Sequence, residues 1–400
     1  MIDEEKNTNR SKVCVAWGQS LFWRTWDLNQ DLKEVQHGDF WESVVAIYAW
    51  ASPSFSMVVL GISRGKCYGL SMQKGFWEKL QRPLFVLAPM ADVTDAAFRR
   101  VIAKYGKPHI MWTEFVSADG ILLATPEGKA KLMKDLIYSD AERPIVAQFF
   151  TGTPEHMEKV AALAGEMGFD GVDINMGCPD RSIEKQGAGA ALIKTPALAK
   201  ELIRAAKRGA PKLPISVKTR IGFNKNELET WLPLLLEEEP VAITIHARTR
   251  KEMSKVPAQW GEIKRAVEIR NSMKSETLIL GNGDVLTLAD AEEKVRETGC
   301  DGVMIGKGIF GNPWLFDTAK DSISTEERLR VMVEHTKLFE ELLTHKNFAV
   351  MKKHYKAYVN GFDGAKELRG KLMEAENGAE VERITETFLK GDRIATVAGQ

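Results

Sequence analysis

Cysteine is scarce in this 400-residue chain, and the four present (Cys14, Cys67, Cys178 and Cys300) form no Cys-x-x-Cys pair. That argues against a disulfide framework or a structural zinc site, and predicts a reducing, cytoplasmic setting and no metal. Net charge is missing too, since 55 Lys and Arg balance 55 Asp and Glu. No overall field then draws the chain to nucleic acid, and any such binding must come from a local patch. A clean hydrophobic span is also lacking. Residues 43–63 carry no charge and could cross a bilayer by length, but Ser52, Pro53, Ser54 and Ser56 interrupt them, so no membrane anchor is expected. The first residues are charged rather than signal-like.

What is present is an ordinary globular composition, 44% apolar and 28% charged, in a chain long enough for one large domain and lesser pieces. Six of the ten tryptophans (Trp17, Trp23, Trp26, Trp41, Trp50 and Trp77) precede Leu80, where neither helical nor strand periodicity is sustained. Residues 1–71 are therefore expected to be an extension outside the catalytic fold, with Met72 as a natural start. From there the texture turns regular. Eight short β-type runs, at 84–88, 110–113, 145–149, 171–174, 215–218, 242–246, 278–280 and 302–305, are separated by helical patterns such as 155–167, 197–208 and 288–298. Eight alternating units fit a (β/α)8 TIM barrel over residues 72–318 better than a doubly wound sheet. After Pro313 the strands stop. Four helical patterns (325–344, 348–360, 365–376 and 381–389) predict a small helical domain over residues 319–400.

In such barrels chemistry sits where strands end. That rule selects Ala88-Pro89-Met90, Gln148, the Asn175–Pro179 stretch, Lys218, His246 and the last two loops. Glycines 281, 283, 306 and 308, with Lys307, could let main-chain N–H groups approach a phosphate, or could merely make tight turns. Lys218 could support charge on a reduced ring cofactor, or be a salt-bridged rim residue. His246 has the same two readings. Cys178 precedes Pro179, which keeps it out of the next helix. Its thiol, mostly protonated at neutral pH, suits a general acid, although an inert buried cysteine is the commoner case.

Taken together, the ordered motifs Ala88-Pro-Met-Ala-Asp-Val-Thr-Asp, Asp173-Ile-Asn-Met-Gly-Cys-Pro, His246-Ala-Arg-Thr-Arg, Gly281-Asn-Gly-Asp and Ile305-Gly-Lys-Gly-Ile-Phe-Gly-Asn-Pro-Trp-Leu-Phe resemble the tRNA-dihydrouridine synthase family, from about residue 84 to 375. The resemblance implies an FMN-bearing barrel, reduced by NADPH, that passes hydride to C6 of a tRNA uracil while a cysteine protonates C5. It makes Cys178 the acid and places Asn175 on the uridine. Pro89, Met90, Gln148, Lys218 and His246 would surround the flavin ring. Asn282, Gly283, Asp284, Gly306 and Lys307 would hold its ribityl-phosphate tail, and Arg248 and Arg250 would lie near RNA. Two positions depart from the family's pattern: Lys307 stands where Arg is common, and Ala247 where Gly is.

A stacked uracil must be flipped out to reach a barrel mouth, so phosphate contacts must compensate. Lys352, Lys353, Lys356, Lys366, Arg369 and Lys371 gather in the helical domain, with Tyr355, Tyr358 and Phe362 interleaved. They read either as an RNA groove or as a solvated face over core aromatics, and with the resemblance an RNA groove between barrel rim and helices is the better reading. Two other functions stay open at this level: a flavin barrel acting on a free pyrimidine, similar to dihydroorotate dehydrogenases, and a tRNA-binding protein without catalysis.

Overall fold

Short runs dense in Val, Ile and Leu, each followed by a helix, can bury both faces only in a parallel sheet wrapped by helices. The computed structural model, which describes residues 11–17, 20–26, 74–320 and 322–391, forms that arrangement. Its strands are β1 (Leu84–Leu87), β2 (Met111–Ser117), β3 (Ile145–Phe150), β4 (Gly171–Met176), β5 (Ile215–Arg220), β6 (Ala242–His246), β7 (Leu278–Asn282) and β8 (Gly302–Ile305). β1 pairs with β8, and parallel pairing runs in order from β8 back to β2. Main-chain bonds from Leu87 N to Ile110 O (3.4 Å) and from His109 N to Phe85 O (3.0 Å) close the remaining gap. The fold is a (β/α)8 barrel and not an open sheet.

Alternate strand positions face the barrel interior. The lower interior is apolar, where Val86, Val146, Ala242, Leu278, Leu280 and Met304 cluster above Trp77. Trp77 comes from a 3-10 turn, Gly75–Lys79, that plugs the N-terminal end. Higher up, the same inward register turns polar: Ser216, Lys218 and Arg220 on β5, Thr244 and His246 on β6, Asn282 on β7. This explains why the sequence runs end too early. β2 continues to Ser117, β4 to Met176, β5 to Arg220 and β7 to Asn282, because polar residues at the mouth remain in the ladder.

The expected helices form as Pro154–Glu166, Pro196–Gly209 and Leu288–Thr298. Pro154 and Pro196 occupy first-turn positions, where no N–H is needed. Gly168 and Gly299, at φ 76° and 70°, take the left-handed conformation that ends a helix before β4 and β8.

Beyond the barrel come Thr325–Leu342, Lys352–Tyr358, Ala365–Glu374 and Gly378–Leu389, the second preceded by a 3-10 turn, Phe348–Met351. Their core, including Leu329, Met332, Phe339, Tyr355, Tyr358 and Leu368, also contains Ala97 and Val101 of the barrel helix Ala96–Tyr105. Each fully buried Leu or Phe contributes roughly 1.5–3 kcal/mol. Exposed pairs such as Lys104–Glu334 (2.7 Å) contribute at most about 1 kcal/mol, so apolar burial holds the helices to the barrel.

The chain divides into two compact units, Met1–Gly69 and Leu70–Gln400. In the first, Ser11–Trp17 and Ser20–Trp26 pair as an antiparallel hairpin, which the sequence pattern did not predict. The uncharged stretch 43–63 and Met72 lie outside the described residues. Among the described residues, no helix is long and apolar enough to cross a membrane, and no cluster of His, Cys, Asp and Glu could hold a metal ion.

Candidate active site

Because all eight strands are parallel, the loops after their C-terminal ends open at one mouth. The Gly177–Pro179 turn after β4 and the glycine-bearing loops after β7 and β8 share it.

The Cys178 turn is held from three sides. Asn175 Oδ1 accepts the N–H of Gly177 (3.1 Å) and of Cys178 (2.9 Å). Ala190 N donates to Cys178 O at 2.9 Å, and Arg220 Nε to Gly177 O at 2.7 Å. The thiol is half-buried, and burial pushes its pKa up, so it is protonated at neutral pH.

Beneath the turn runs a buried polar network. Asn175 Nδ2 donates to Gln148 Oε1 (3.1 Å), Gln148 Nε2 to Asp173 Oδ2 (2.6 Å), and Ser216 Oγ to Asp173 Oδ1 (2.5 Å). Burial raises Asp173 to about 6, against the pull of the Ser216 and Gln148 donors. Asn175 and Gln148 thus have their orientations fixed by partners on neighbouring strands.

Across the mouth, Lys218 Nζ reaches Asn282 Oδ1 at 3.4 Å, and Asn282 Nδ2 donates to Met304 O at 2.8 Å. Burial, with Arg220 nearby, lowers Lys218 to about 8. Among the described residues Lys218 has no salt-bridge partner, and with a pKa of about 8 it keeps most of its charge at neutral pH. His246 Nε2 lies 3.0 Å from Arg248 Nη1. A guanidinium only donates, so Nε2 accepts and the proton sits on Nδ1, pointing to a neutral imidazole. Burial and the surrounding cations drive the His246 pKa down to about 2. Pro89 is buried and Met90 half-buried on the loop after β1, with Met90 N bonded to Thr94 Oγ1 at 2.9 Å.

The four glycines separate into two kinds. A Cβ on Gly281 would lie 2.3 Å from Trp260 Cζ3, and one on Gly308 would lie 2.5 Å from Leu286 O. Packing accounts for both. Gly283 has φ 133° and a Cβ there would lie 2.8 Å from Ala258 Cβ, so it too is held to glycine by its surroundings, whereas a Cβ on Gly306 would make only ordinary contact with Met90 Sδ at 3.4 Å. The N–H groups of Gly306, Lys307 and Gly308 meet no acceptor among the described residues. Lys307 stands beside them, exposed, 3.7 Å from Asp284. N–H groups without an acceptor beside a cation are a set that could hold an anion.

A family model described as dihydrouridine synthase (Dus) matches residues 86–391. The chain belongs to the dihydrouridine synthase family. It is 39% identical over 320 residues to a "Probable tRNA-dihydrouridine synthase" of Staphylococcus epidermidis, covering 79% of this chain and 97% of that one. It is 38% identical over 320 residues to "Probable tRNA-dihydrouridine synthase 2" of Bacillus subtilis, with the same coverage. Among solved structures, histamine dehydrogenase from Rhizobium sp. 4-9 overlays at a TM-score of 0.45 and 11% identity, covering 64% of this chain and 48% of that one. That overlay is too slight to carry weight.

As a dihydrouridine synthase the chain is an oxidoreductase, and its mouth gathers most of the residues that the sequence selected. The residues assigned to RNA are spread more widely. Arg248 is buried, donating to Val256 O (2.6 Å) and pairing with Asp284. Arg250 pairs with Glu184, Nη2 to Oε2 at 2.6 Å. Lys352 and Lys353 lie on the first full helix after Phe348–Met351, Lys353 exposed. Tyr355 and Tyr358 on the same helix are fully buried and belong to the core, which corrects the reading of those two rings as part of an RNA groove. The synthase fold also adds a residue that sequence reasoning left without a role. Arg220 joins the Cys178 turn to the loop after β6 through Thr249 O (3.2 Å) and Met253 O (3.1 Å). Its signal was the spacing from Lys218, two residues along one strand and so on the same inward face.

Proposed function

We propose that this dihydrouridine synthase reduces uridine in tRNA to dihydrouridine, with FMN as its cofactor, NADPH as reductant and Cys178 as proton donor. One observation carries the reading: a protonated thiol on a braced turn shares its mouth with Lys218, neutral His246 and an anion cradle. The tRNA substrate is supported by the names of the two relatives.

The residues present fit FMN. Gly306, Lys307 and Gly308 supply free N–H donors for a phosphate, with Gly283 and Asp284 at the neighbouring turn and Lys307 as the cation. Lys218, His246, Gln148, Pro89 and Met90 would surround the ring of FMN. When bound and reduced, FMN supplies a hydride to C6 of the uracil. Cys178 releases its proton to C5, and its raised pKa keeps that proton in place until transfer. Asn175 holds the thiol's backbone and, through Gln148, links it to the barrel interior. Lys218 offers positive charge next to the site of reduction, and the N–H at His246 Nδ1 can donate without the imidazole itself becoming charged. We also assign residues 72–318 to the catalytic barrel, residues 319–400 to RNA binding and the protein to the cytoplasm.

The test is direct. The purified protein should be yellow and should convert unmodified tRNA, with NADPH, to dihydrouridine-containing tRNA detected by mass spectrometry. Equal turnover of free uridine would instead make it a free-pyrimidine reductase. A colourless protein that binds tRNA without converting it would remove the catalytic reading. Mapping dihydrouridine in tRNA from cells with and without the gene would then locate the modified position.

A further inference from the structure

The loop after β1 carries Pro89 and Met90, and both of its ends are fixed. Ala88 N donates to Ile305 O at 2.9 Å. At the far end Thr94 O accepts Arg99 Nη1 (2.7 Å), and Asp95 caps the helix Ala96–Tyr105 by accepting the Phe98 N–H (3.0 Å). The loop's own bonds span only its middle, from Met90 N to Thr94 Oγ1 (2.9 Å) and from Thr94 N to Met90 O (3.0 Å). Its apex is strained. Asp92 has φ 54°, a left-handed conformation that costs a non-glycine residue energy and persists when the surroundings impose it. The Asp92 N–H is held from outside the loop, by Oε1 of Glu114.

Glu114 reaches that position through an irregularity of β2. The pairing of β2 with β3 slips between Trp112 and Phe115, and a bulge of this kind re-aims a side chain out of the strand's alternation. The carboxylate is buried, and its second oxygen, Oε2, accepts Lys346 Nζ at 2.6 Å. Lys346 comes from the helical segment, in the turn between Thr325–Leu342 and Phe348–Met351. Its ammonium also lies 3.4 Å from Asp135 and 3.6 Å from Asp92. Burial by itself would lower the Lys346 pKa, but Glu114 and Asp135 outweigh it and push the value up, so the ammonium stays charged. Two neighbours seat the turn: His345 Nε2 lies 3.2 Å from Asp135 Oδ1, and Lys134 Nζ donates to Thr344 Oγ1 at 3.1 Å.

The Lys346 side chain is only 11% exposed. Its partners are the carboxylates of the barrel, and solvent scarcely reaches it. Met90, at the other end of the relay, stands next to Gly306, since a Cβ there would meet Met90 Sδ at 3.4 Å. The loop apex thus sits between a cation of the helical segment and the donors after β8.

We propose that Lys346 is a positioning residue for the synthase reaction: it clamps Glu114, and through Glu114 fixes the Asp92 apex so that Met90 is held against the cofactor site. The proposal rests on the reading of Met90 as part of a flavin site. It makes the helical segment a working part of that site, acting through one buried ion pair.

The test uses the full chain as purified. Lys346→Met alone leaves Glu114 buried without its cation and so lowers overall stability. The deciding variant therefore adds Glu114→Gln, which removes both charges at similar volume. Hydrogen exchange of the peptide covering residues 88–98 is followed by mass spectrometry, beside Tm, flavin content and tRNA kinetics. With Tm near the wild-type value, exchange at residues 91–94 should quicken roughly 10- to 100-fold, as for loss of a hydrogen bond to a charged group. Peptides elsewhere in the barrel should keep their rates. Misplacement of the loop should lower kcat roughly 10-fold with the tRNA KM unchanged. Wild-type exchange in the folded double variant would overturn the clamp. So would a uniform rise in exchange across the barrel, which would make the pair a general contact of the fold. A raised tRNA KM with the loop still protected would instead make Lys346 an RNA contact. Faster loop exchange with kcat and flavin content unaltered would overturn the positioning role by removing Met90 from the cofactor site. A colourless wild type without turnover would remove the flavin reading, while the exchange comparison would still decide the clamp.

Discussion

Asn175 Oδ1 accepts the Cys178 N–H at 2.9 Å, so the residue that ends β4 fixes the backbone of the thiol three positions later. Replacing Asn175 by Ala would strand the N–H groups of Gly177 and Cys178 and leave Gln148 Oε1 without its donor. Each such loss costs about 1–3 kcal/mol where it is buried. Asn175→Ala is expected to lower dihydrouridine formation 10- to 100-fold in single-turnover assays while flavin content is retained. Wild-type rates would show that the turn holds its shape without this side chain.

Cys178→Ala should be more selective. Nothing in the anion cradle touches the thiol, so flavin binding and its reduction by NADPH should continue. Dihydrouridine formation should fall by at least 100-fold, in line with the loss of a general acid. An undiminished product yield would take Cys178 out of the chemistry.

Lys218 gives a pH signature. Its pKa is lowered to about 8 by burial, so its charge is present below that pH and is lost as pH rises through it. NADPH-dependent flavin reduction, followed by stopped-flow absorbance, is expected to slow as pH rises through about 8. In Lys218→Met the rate should be low throughout and flat across that range. A wild-type profile with no inflection near 8 would detach Lys218 from the charge on the reduced ring.

The helical core should be acid-sensitive. His335 and His354 are fully buried with ring centroids 4.7 Å apart, and none of their four ring nitrogens has a hydrogen-bond partner. Burial lowers His335 to about 3 from its ordinary 6.5, and lowers His354 well below that value. As pH falls below about 6.5 the unfolded chain takes up protons that the folded chain refuses. Stability should then fall by up to about 1.4 kcal/mol per pH unit for each imidazole, until the folded values are reached. His335→Phe should flatten the slope of urea-unfolding free energy between about pH 6 and about pH 4. An identical slope would mean that other groups carry the acid response.

Gly281 separates packing from phosphate binding. A Cβ there meets the Trp260 ring at 2.3 and 2.7 Å, so Gly281→Ala should destabilise the protein by about 1–3 kcal/mol. Flavin content per folded molecule should stay near normal. Loss of flavin without a fall in Tm would return Gly281 to the cofactor site.

The barrel was legible because its signals are local. Alternation of apolar runs with helical patterns, with Gly168 and Gly299 at helix ends, depends on residues close together in the chain. The hairpin of Ser11–Trp17 and Ser20–Trp26 escaped notice because its residues show no sustained alternation of apolar and polar side chains. Strand ends were read short at several polar residues that face the mouth, as at Asn175, Arg220 and Asn282, although the sixth run was read through to His246.

The order of motifs along the chain determined the family, the fold and the thiol, since each is encoded in contiguous residues. The pairing of Arg248 with Asp284 and Arg250 with Glu184, the burial of Tyr355 and Tyr358, and the packing of Gly281 on Trp260 were decided only by tertiary structure. In most of these cases the partner arrives from a different strand, loop or helix. Whether a charge, a ring or a bare Cα meets water or protein depends on that distant neighbour, which linear spacing does not specify.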